Sequence, residues 1–417
     1  MTTLDTQTIK EYAYSLGFDS ARITSAAPFP ETKQIIQERI GRGLMDGLPW
    51  FTAERAEISC HPDALLPEAQ SIITLALCYL TEQPEEPDTA VPHGRISRYS
   101  WGDDYHDLIK PKLQQFAAWL KDYAKDIGNA EVETRLFVDT GRMVDRAVAQ
   151  RAGLGWYGKN TNILTKGWGS WVFLAEIVTN LPLTPDAELK ANCGSCEICL
   201  HACPTGALPN PYELDSTKCI SFLTIELRGS IPLEMRPLMG NLIFGCDICQ
   251  EVCPVNKVAE KRLGLRDAQG KPVIALNTIK KREVTTVSSG QRAEKAFQPQ
   301  PEFHMRPQVG STPELIPLLA LTEEDFRERF RHSPIKRTKR RGFLRNVCVA
   351  LGNSKDSKAI PALTNALHDN EALIRSHAAW ALGSIGGTDA VTALQAALVN
   401  ENDEEVQKEI RCALAMR

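Results

Sequence analysis

The chain has no run of about 18 uninterrupted apolar residues, which excludes a conventional membrane-spanning helix. Its first stretch, MTTLDTQTIKEYAYSLGFDS, carries acids but neither an apolar export core nor paired arginines, so the cytoplasm is the expected compartment. No G-x-G-x-x-G follows a strand-like segment. The glycines from Gly153 to Gly158 come after the helix-like Arg142–Arg151 and make a weak dinucleotide fingerprint. The same run, ending Lys159-Asn160, is no Walker A loop either, because Asn160 stands where Ser or Thr would be required. A net charge of −4 argues against wholesale coating of nucleic acid. Nor is there a sign of extended disorder: 417 residues, 43% hydrophobic and 24% charged, suit a soluble chain of about two to four domains.

Cysteine is what the chain has in quantity. Eight of its 12 cysteines lie between Cys193 and Cys253. Cys193, Cys196, Cys199 and Cys203 form C-x2-C-x2-C-x3-C-P, the bacterial ferredoxin run, whose fourth cysteine ligates the other cluster. Cys246, Cys249 and Cys253 form a second run, with Cys219 between the two. Three thiolates in one tight loop cap three iron corners, and the fourth must arrive from elsewhere. Crossed ligation therefore predicts one cubane cluster on Cys193, Cys196, Cys199 and Cys253, and another on Cys203, Cys219, Cys246 and Cys249. Paired structural zinc sites also use C-x2-C, and a disulfide scaffold would require a secreted chain; the specificity of the first run favours clusters. Cys60, Cys78, Cys348 and Cys412 stand in apolar settings and read as small core residues.

Around this module the chain divides into pieces. Residues 1–185 mix helix-like segments, Thr8–Leu16 and Tyr105–Lys125, with strand-like runs at Ser71–Leu77, Glu133–Val138 and Trp171–Ile177. That alternation predicts an α/β domain. Residues 186–258 are the ferredoxin-like two-cluster module. Residues 259–341 read as a helical connector, with a proline-rich surface loop at Phe297–Pro317 and a helix N-cap at Thr322. Residues 342–417 repeat: Ala350-Leu351-Gly352 recurs as Ala381-Leu382-Gly383, and Leu363 and Leu367 recur as Leu394 and Leu398. A HEAT-like α-helical repeat explains this, with two ordinary alanine-rich hairpins as the plainer alternative. The whole is expected to be a multidomain α+β chain.

Charge is uneven along this plan. Phe326–Arg345 holds nine Lys or Arg and one acid, Glu328, the electrostatic footprint of a polyanion. The interleaved Phe326, Phe330 and Phe343 favour RNA or DNA over a merely solvated helical face.

Four strings taken together resemble the epoxyqueuosine reductase family: RISRYSWGDDYH (Arg95–His106), VDTGRMVDRAVAQRAGLGWYGKNTNIL (Val138–Leu164), the two cysteine runs, and SPIKRTKRRGFLRNVCVALGN (Ser333–Asn353). The resemblance covers nearly the whole chain. It implies that the first domain binds cobalamin and that the clusters are 4Fe–4S. It implies an oxidoreductase that removes the epoxide oxygen of epoxyqueuosine at the tRNA wobble position, giving queuosine. The partners it implies are a tRNA anticodon stem-loop and an external electron donor, and a monomer is expected. The family's relatives are the corrinoid reductive dehalogenases, so a dehalogenase-like enzyme acting on a small molecule is the alternative. A cobalamin-free electron carrier is a further one.

Site residues follow from the same resemblance. Asp139 stands at the position of the family's proton donor, although an acid ending an apolar run is more often a helix N-cap. Tyr105, His106, Asp139, Lys159, Asn160, Ser221 and Asp247 are the expected cobalamin contacts. Asp104-x-His106 begins a cobalt-ligating signature, but Ile109 occupies its glycine position, so His106 is not expected to be an axial ligand. Where relatives carry an arginine, this chain has Ser59, and that contact is lost unless Arg55 supplies it. Lys336, Arg337, Lys339, Arg340, Arg341 and Arg345 are expected to hold tRNA phosphates, while the pocket selects the splayed base.

Overall fold

A computed structural model describes residues 5–262 and 305–416, apart from 83, 85–86, 88–89, 127, 129–130 and 307–308. Residues 297–304 and 307–308 of the proline-rich loop expected at 297–317 lie outside these residues.

The N-terminal sheet has the order β1 (Ser20–Ser25), β2 (Ser71–Cys78), β7 (Val172–Thr179), β4 (Thr134–Phe137), and every pairing is antiparallel. The expected alternation of helix and strand is present, and the antiparallel pairing makes the domain α+β in detail. β2 is apolar along both faces because it is central and covered on each side. One face packs Ile73, Leu75, Leu77, Ala175 and Ile177 against the helix Tyr105–Asp126. That helix offers Ile109, Leu113, Phe116, Leu120 and Ala124, spaced at three or four residues so that they line one side. The other face carries Ile72 and Val178 against Val148 of the helix Asp145–Arg151.

Two short pairings complete the strands. β5 (Gly155–Tyr157) and β6 (Ile163–Thr165) form a hairpin across the GKN motif. β3 (Arg95–Ile96) pairs in parallel with β8 (Leu242–Phe244), which runs straight into the second cysteine run. The glycine run is thus a helix stop and a hairpin entry: Gly153 takes φ +70°, and a Cβ there would meet the Ala187 carbonyl.

At the C-terminus the helices Lys339–Ser354, Ala372–Ile385 and Glu404–Ala415 stack side by side, with Ile360–Ala366 and Thr388–Asn400 beside them. The Ala-Leu-Gly repeat has a packing cause. A Cβ on Gly352 would collide with Trp380 and Ala381, and one on Gly383 with Ala413. Each glycine lets the next inner helix approach its backbone. The helix at Glu323–Arg329 opens with the expected Thr322 cap, closed into a capping box by Asp325. Repeats and cluster module share one apolar core, which includes Ile220, Phe244, Leu344 and Leu382. No helix among the described residues is long and apolar enough to cross a membrane.

Candidate active site

The segment Arg95–Tyr99 clamps the first domain onto the cluster module. Beyond the β3–β8 pairing, Ser97 Oγ donates to Asp247 Oδ1 at 2.6 Å and the Arg98 amide donates to Asp247 Oδ2 at 2.7 Å. The Arg98 guanidinium lies between Trp101 and Trp171, 5.0 Å from each ring centroid. Asn160 Nδ2 donates to the Cys249 carbonyl at 3.1 Å, and Lys159 Nζ lies 3.3 Å from Glu197 in the first cysteine run. The GKN motif therefore also fastens the two units.

Within the module the two cysteine runs lie against each other. Helices Ile198–Ala202 and Ile248–Glu251, each following a C-x2-C turn, pack together and interleave the runs. Burial pushes the Cys199 thiol up to about 11, and its neighbours Cys253, Cys193 and Cys196 add to the rise. Burial likewise raises Cys246 to about 12, with Cys219 and Cys203 adding to it, and raises Cys249 through burial, then Cys246 and Cys219. Cys219 is the N-cap of the helix Ile220–Ile225, and burial raises its thiol while the nearby Phe222 and Ser221 amides oppose the rise. The thiols that act on Cys199 and Cys246 come from the set expected to share each one's cluster, while Cys249 also feels Cys199 from the other set. Buried, mutually repelling thiols that resist ionisation one by one are a donor set suited to iron, whose charge removes that penalty. Cys60, Cys78 and Cys348 are buried as expected; Cys412 is not, because it lies on the exposed side of its helix.

Asp139 is two residues past the end of β4, in the left-handed region at φ +50°. It does not cap the following helix: Val144 occupies that place and Asp145 begins the helix. Tyr105 Oη, at the start of the long helix, donates to Asp139 Oδ2 at 2.5 Å. Burial and then the Asp139 charge push the Tyr105 hydroxyl far above its usual range, so it remains a donor. Tyr105 stacks on Phe173 and His106, each with centroids 4.2 Å apart, which fixes its ring. Arg55 donates to the Gly141 carbonyl at 2.7 Å and so secures the loop carrying Asp139, while Ser59 is buried.

His106 Nδ1 is paired with Asp104 Oδ1 at 2.9 Å, leaving Nε2 buried without a partner. Of the expected corrin contacts it alone has such an atom. An orphaned imidazole nitrogen beside an acid and a phenol fits an amide-rimmed macrocycle, which supplies hydrogen-bond donors at its edge. Tyr99, absent from the expected site, sits at the centre: its ring centroid is 6.3 Å from Tyr105 and 6.0 Å from Phe244, within electrostatic reach of Asp139, Arg337, Glu226 and Asp247. Its place in the Arg95–His106 string was the available signal.

The basic run divides. Arg345 is fully buried, donating to the carbonyls of Leu223, Leu227 and Gly229 and to Asn346 Oδ1. Arg340 grips Asp369 and the Leu321 carbonyl. Neither is free for a phosphate, a correction to the sequence expectation: Arg345 is spent holding the repeats to the module, and Arg340 holding the connector to the repeats. Phe326, Phe330 and Phe343 form a buried triplet with centroids 5.0–5.7 Å apart, so they are core and no base-stacking surface. Lys336, Arg337, Lys339 and Arg341 remain at the surface, joined there by Arg228, which donates to the Arg337 carbonyl.

Fold and site define a two-cluster iron–sulfur protein whose α+β domain presents an acid–phenol pair beside the cluster module, with a helical-repeat tail. Family models match in that order: epoxyqueuosine reductase QueG at residues 60–140, a 4Fe-4S double cluster binding domain at 192–256, and HEAT repeats at 340–415. The epoxyqueuosine reductase of Bacillus subtilis (strain 168) is 38% identical over 96% of this chain and 92% of its own. A solved epoxyqueuosine reductase with an epoxyqueuosine-modified tRNA-Tyr stem loop superposes with a TM-score of 0.83, at 36% identity over 99% and 98% of the two chains. Another, from Bacillus subtilis, has its catalytic aspartate loop swung out of the active site and superposes with a TM-score of 0.83 at 35% identity, over the same shares. The chain belongs to the epoxyqueuosine reductase family.

Proposed function

We propose that this protein removes the epoxide oxygen of epoxyqueuosine in the anticodon loop of tRNA, giving queuosine. The observation that carries this reading is the Tyr105–Asp139 pair, set beside a double-cluster module in a chain similar to the family's members over nearly its whole length. Epoxide removal to an alkene and water consumes two electrons and two protons. A corrin cobalt, when bound, supplies a low-valent reducing centre, recharged one electron at a time by the clusters. Tyr105, His106, Lys159, Asn160, Ser221 and Asp247 are the residues proposed to hold the corrin.

Asp139 holds the proton for the departing oxygen at its carboxyl, and Tyr105 orients that carboxyl. Lys336, Arg337, Lys339 and Arg341 bind backbone phosphates, a sequence-blind contact that positions the loop. A small organohalide would have no use for that surface. The protein works in the cytoplasm, where tRNA is found, as a monomer fed by an external reductant. Incubating reconstituted protein with epoxyqueuosine-containing tRNA and analysing nucleosides by mass spectrometry tests the reading. Queuosine should appear; unchanged epoxyqueuosine with full clusters and corrin would overturn it.

A further inference from the structure

β7 carries an acid where its neighbours demand apolar side chains. On the sheet face covered by the helix Asp145–Arg151, the cross-strand pairs run Ile72 with Val178, Thr74 with Glu176, and Ala76 with Leu174. Glu176 is wholly buried, and both its carboxyl oxygens lack an ordinary hydrogen-bond partner, as does Thr74 Oγ1 opposite it. Asp145, the first residue of the covering helix, turns a buried Oδ1 that no N–H or hydroxyl reaches toward this layer, within hydrogen-bond reach of the Glu176 carboxyl. An ionised carboxylate there would be strongly disfavoured, as any buried charge left unpaired is. A packed leucine would serve the fold better, so the pair needs another reason to exist.

Its surroundings supply one. The groups facing Asp145 are Glu176, Asp139, Arg146, Arg55 and Tyr157; those facing Glu176 are Asp145 and Asp139. Burial first, then the Asp145 charge, drives Glu176 well above the carboxylate range, and burial raises Asp145 as well. Two carboxyls so placed cannot both ionise near neutrality and share at least one proton. Asp139 is six positions before Asp145 on one short connection, itself pinned by Arg55.

We propose that Asp145 and Glu176 form a buried proton store that recharges Asp139 while the bound stem-loop covers it from solvent. The idea rests on Asp139 being the acid. In the cycle, Asp139 passes its proton to the oxygen leaving the epoxide carbon. The pair returns one proton to Asp139 through hydrogen-bonded water, so the oxygen departs as water with both protons, and bulk water later restores the pair. The two electrons that break the carbon–oxygen bonds come from the bound reducing centre of the proposed function; the carboxyl pair supplies only a proton. Asp145 and Glu176 touch no substrate and are positioning residues.

The test uses reconstituted holoenzyme with Glu176→Gln, and Asp145→Asn as a second variant. Iron, corrin content and KM for an epoxyqueuosine stem-loop should match wild type. The kcat should fall by roughly tenfold at neutral pH, short of the roughly 10²–10⁴ that loss of a general acid causes, with a deeper loss at alkaline pH. A carboxylic-acid C=O infrared band, present in the wild type at neutral pH, should vanish in Glu176→Gln. Wild-type kcat and pH profile in both variants, with Asp139→Asn inactive, would overturn the store alone. So would the lack of that infrared band in wild type. Full activity in Asp139→Asn would instead overturn the reading beneath it.

Discussion

Lys336 Nζ lies 2.8 Å from Asp104 Oδ2, tying the surface basic run to the start of the helix that bears Tyr105 and His106. Asp104 is buried, which pushes its carboxyl up, but hydrogen bonds from His106 and Lys336 outweigh that and hold it well below the usual range. A phosphate drawing on Lys336 competes with this pairing. Asp104→Asn should therefore free Lys336, tightening stem-loop binding and steepening its salt slope by about 0.7–0.9, while epoxide reduction falls because His106 is left with a weaker, uncharged acceptor. Binding across a salt series and turnover, measured on the same variant, check this. A folded variant that binds more weakly contradicts it.

The division of the basic run predicts opposite outcomes for neighbouring arginines. Reversing Arg337 and Arg341 to Glu should weaken stem-loop binding and flatten its salt dependence with little change in melting temperature, since their side chains are 39% and 46% exposed. Arg345→Ala should instead cost roughly 3–5 kcal/mol of stability, the range for breaking a buried charged network. Chemical denaturation and affinity, compared side by side, separate the two classes.

Crossed ligation predicts which cysteine variants behave alike. Cys253→Ala should damage the same cluster as Cys193→Ala, and Cys219→Ala the same as Cys203→Ala, each leaving about half the iron. Iron analysis and electron paramagnetic resonance of reduced samples decide the pairing. Spectra grouping Cys253 with Cys246 would refute it.

Asp139→Asn is the sharpest test of the acid. Asparagine tolerates the left-handed backbone there and keeps a hydrogen-bond acceptor for Tyr105. Turnover should drop by roughly 10²–10⁴ with cluster and corrin content intact. Tyr105→Phe should fall less, because it removes the orienting bond and leaves the proton.

His377 couples acid sensitivity to the joint between module and repeats. It is fully buried, its Nε2 accepts from the Ile231 amide at 3.2 Å, and burial, then Arg236 and Arg345, push its pKa well below normal. Unfolded, it takes up a proton near pH 6.5; folded, it does not. The stability it permits is thus present above about pH 6.5 and is lost as pH falls below that, by up to about 1.4 kcal/mol per pH unit. Denaturation between pH 7 and 5 should show this slope, and His377→Gln should lessen it.

Cysteine spacing alone sufficed to mark a two-cluster module, because a cubane's geometry dictates how far apart its thiolates fall in a loop. Helix periodicity, the Thr322 cap and the Ala-Leu-Gly repeat were equally legible, since each records a local constraint. The function of the Arg95–His106 string was visible only as a family likeness. Its physical work, clamping Asp247 and centring Tyr99, depends on residues more than a hundred positions away.

Charge was the least legible property. A row of arginines looks the same in sequence whether each faces a phosphate or a carbonyl, and only burial distinguishes Arg345 from Arg341. The same holds for Glu176, which reads as one acid in an apolar strand until the sheet register sets it opposite Thr74 and the covering helix brings Asp145 to it. The sequence by itself determined the elements, the ligand spacing and the family. The tertiary structure decided which charges meet water, because desolvation depends on what packs around a group and not on its neighbours along the chain.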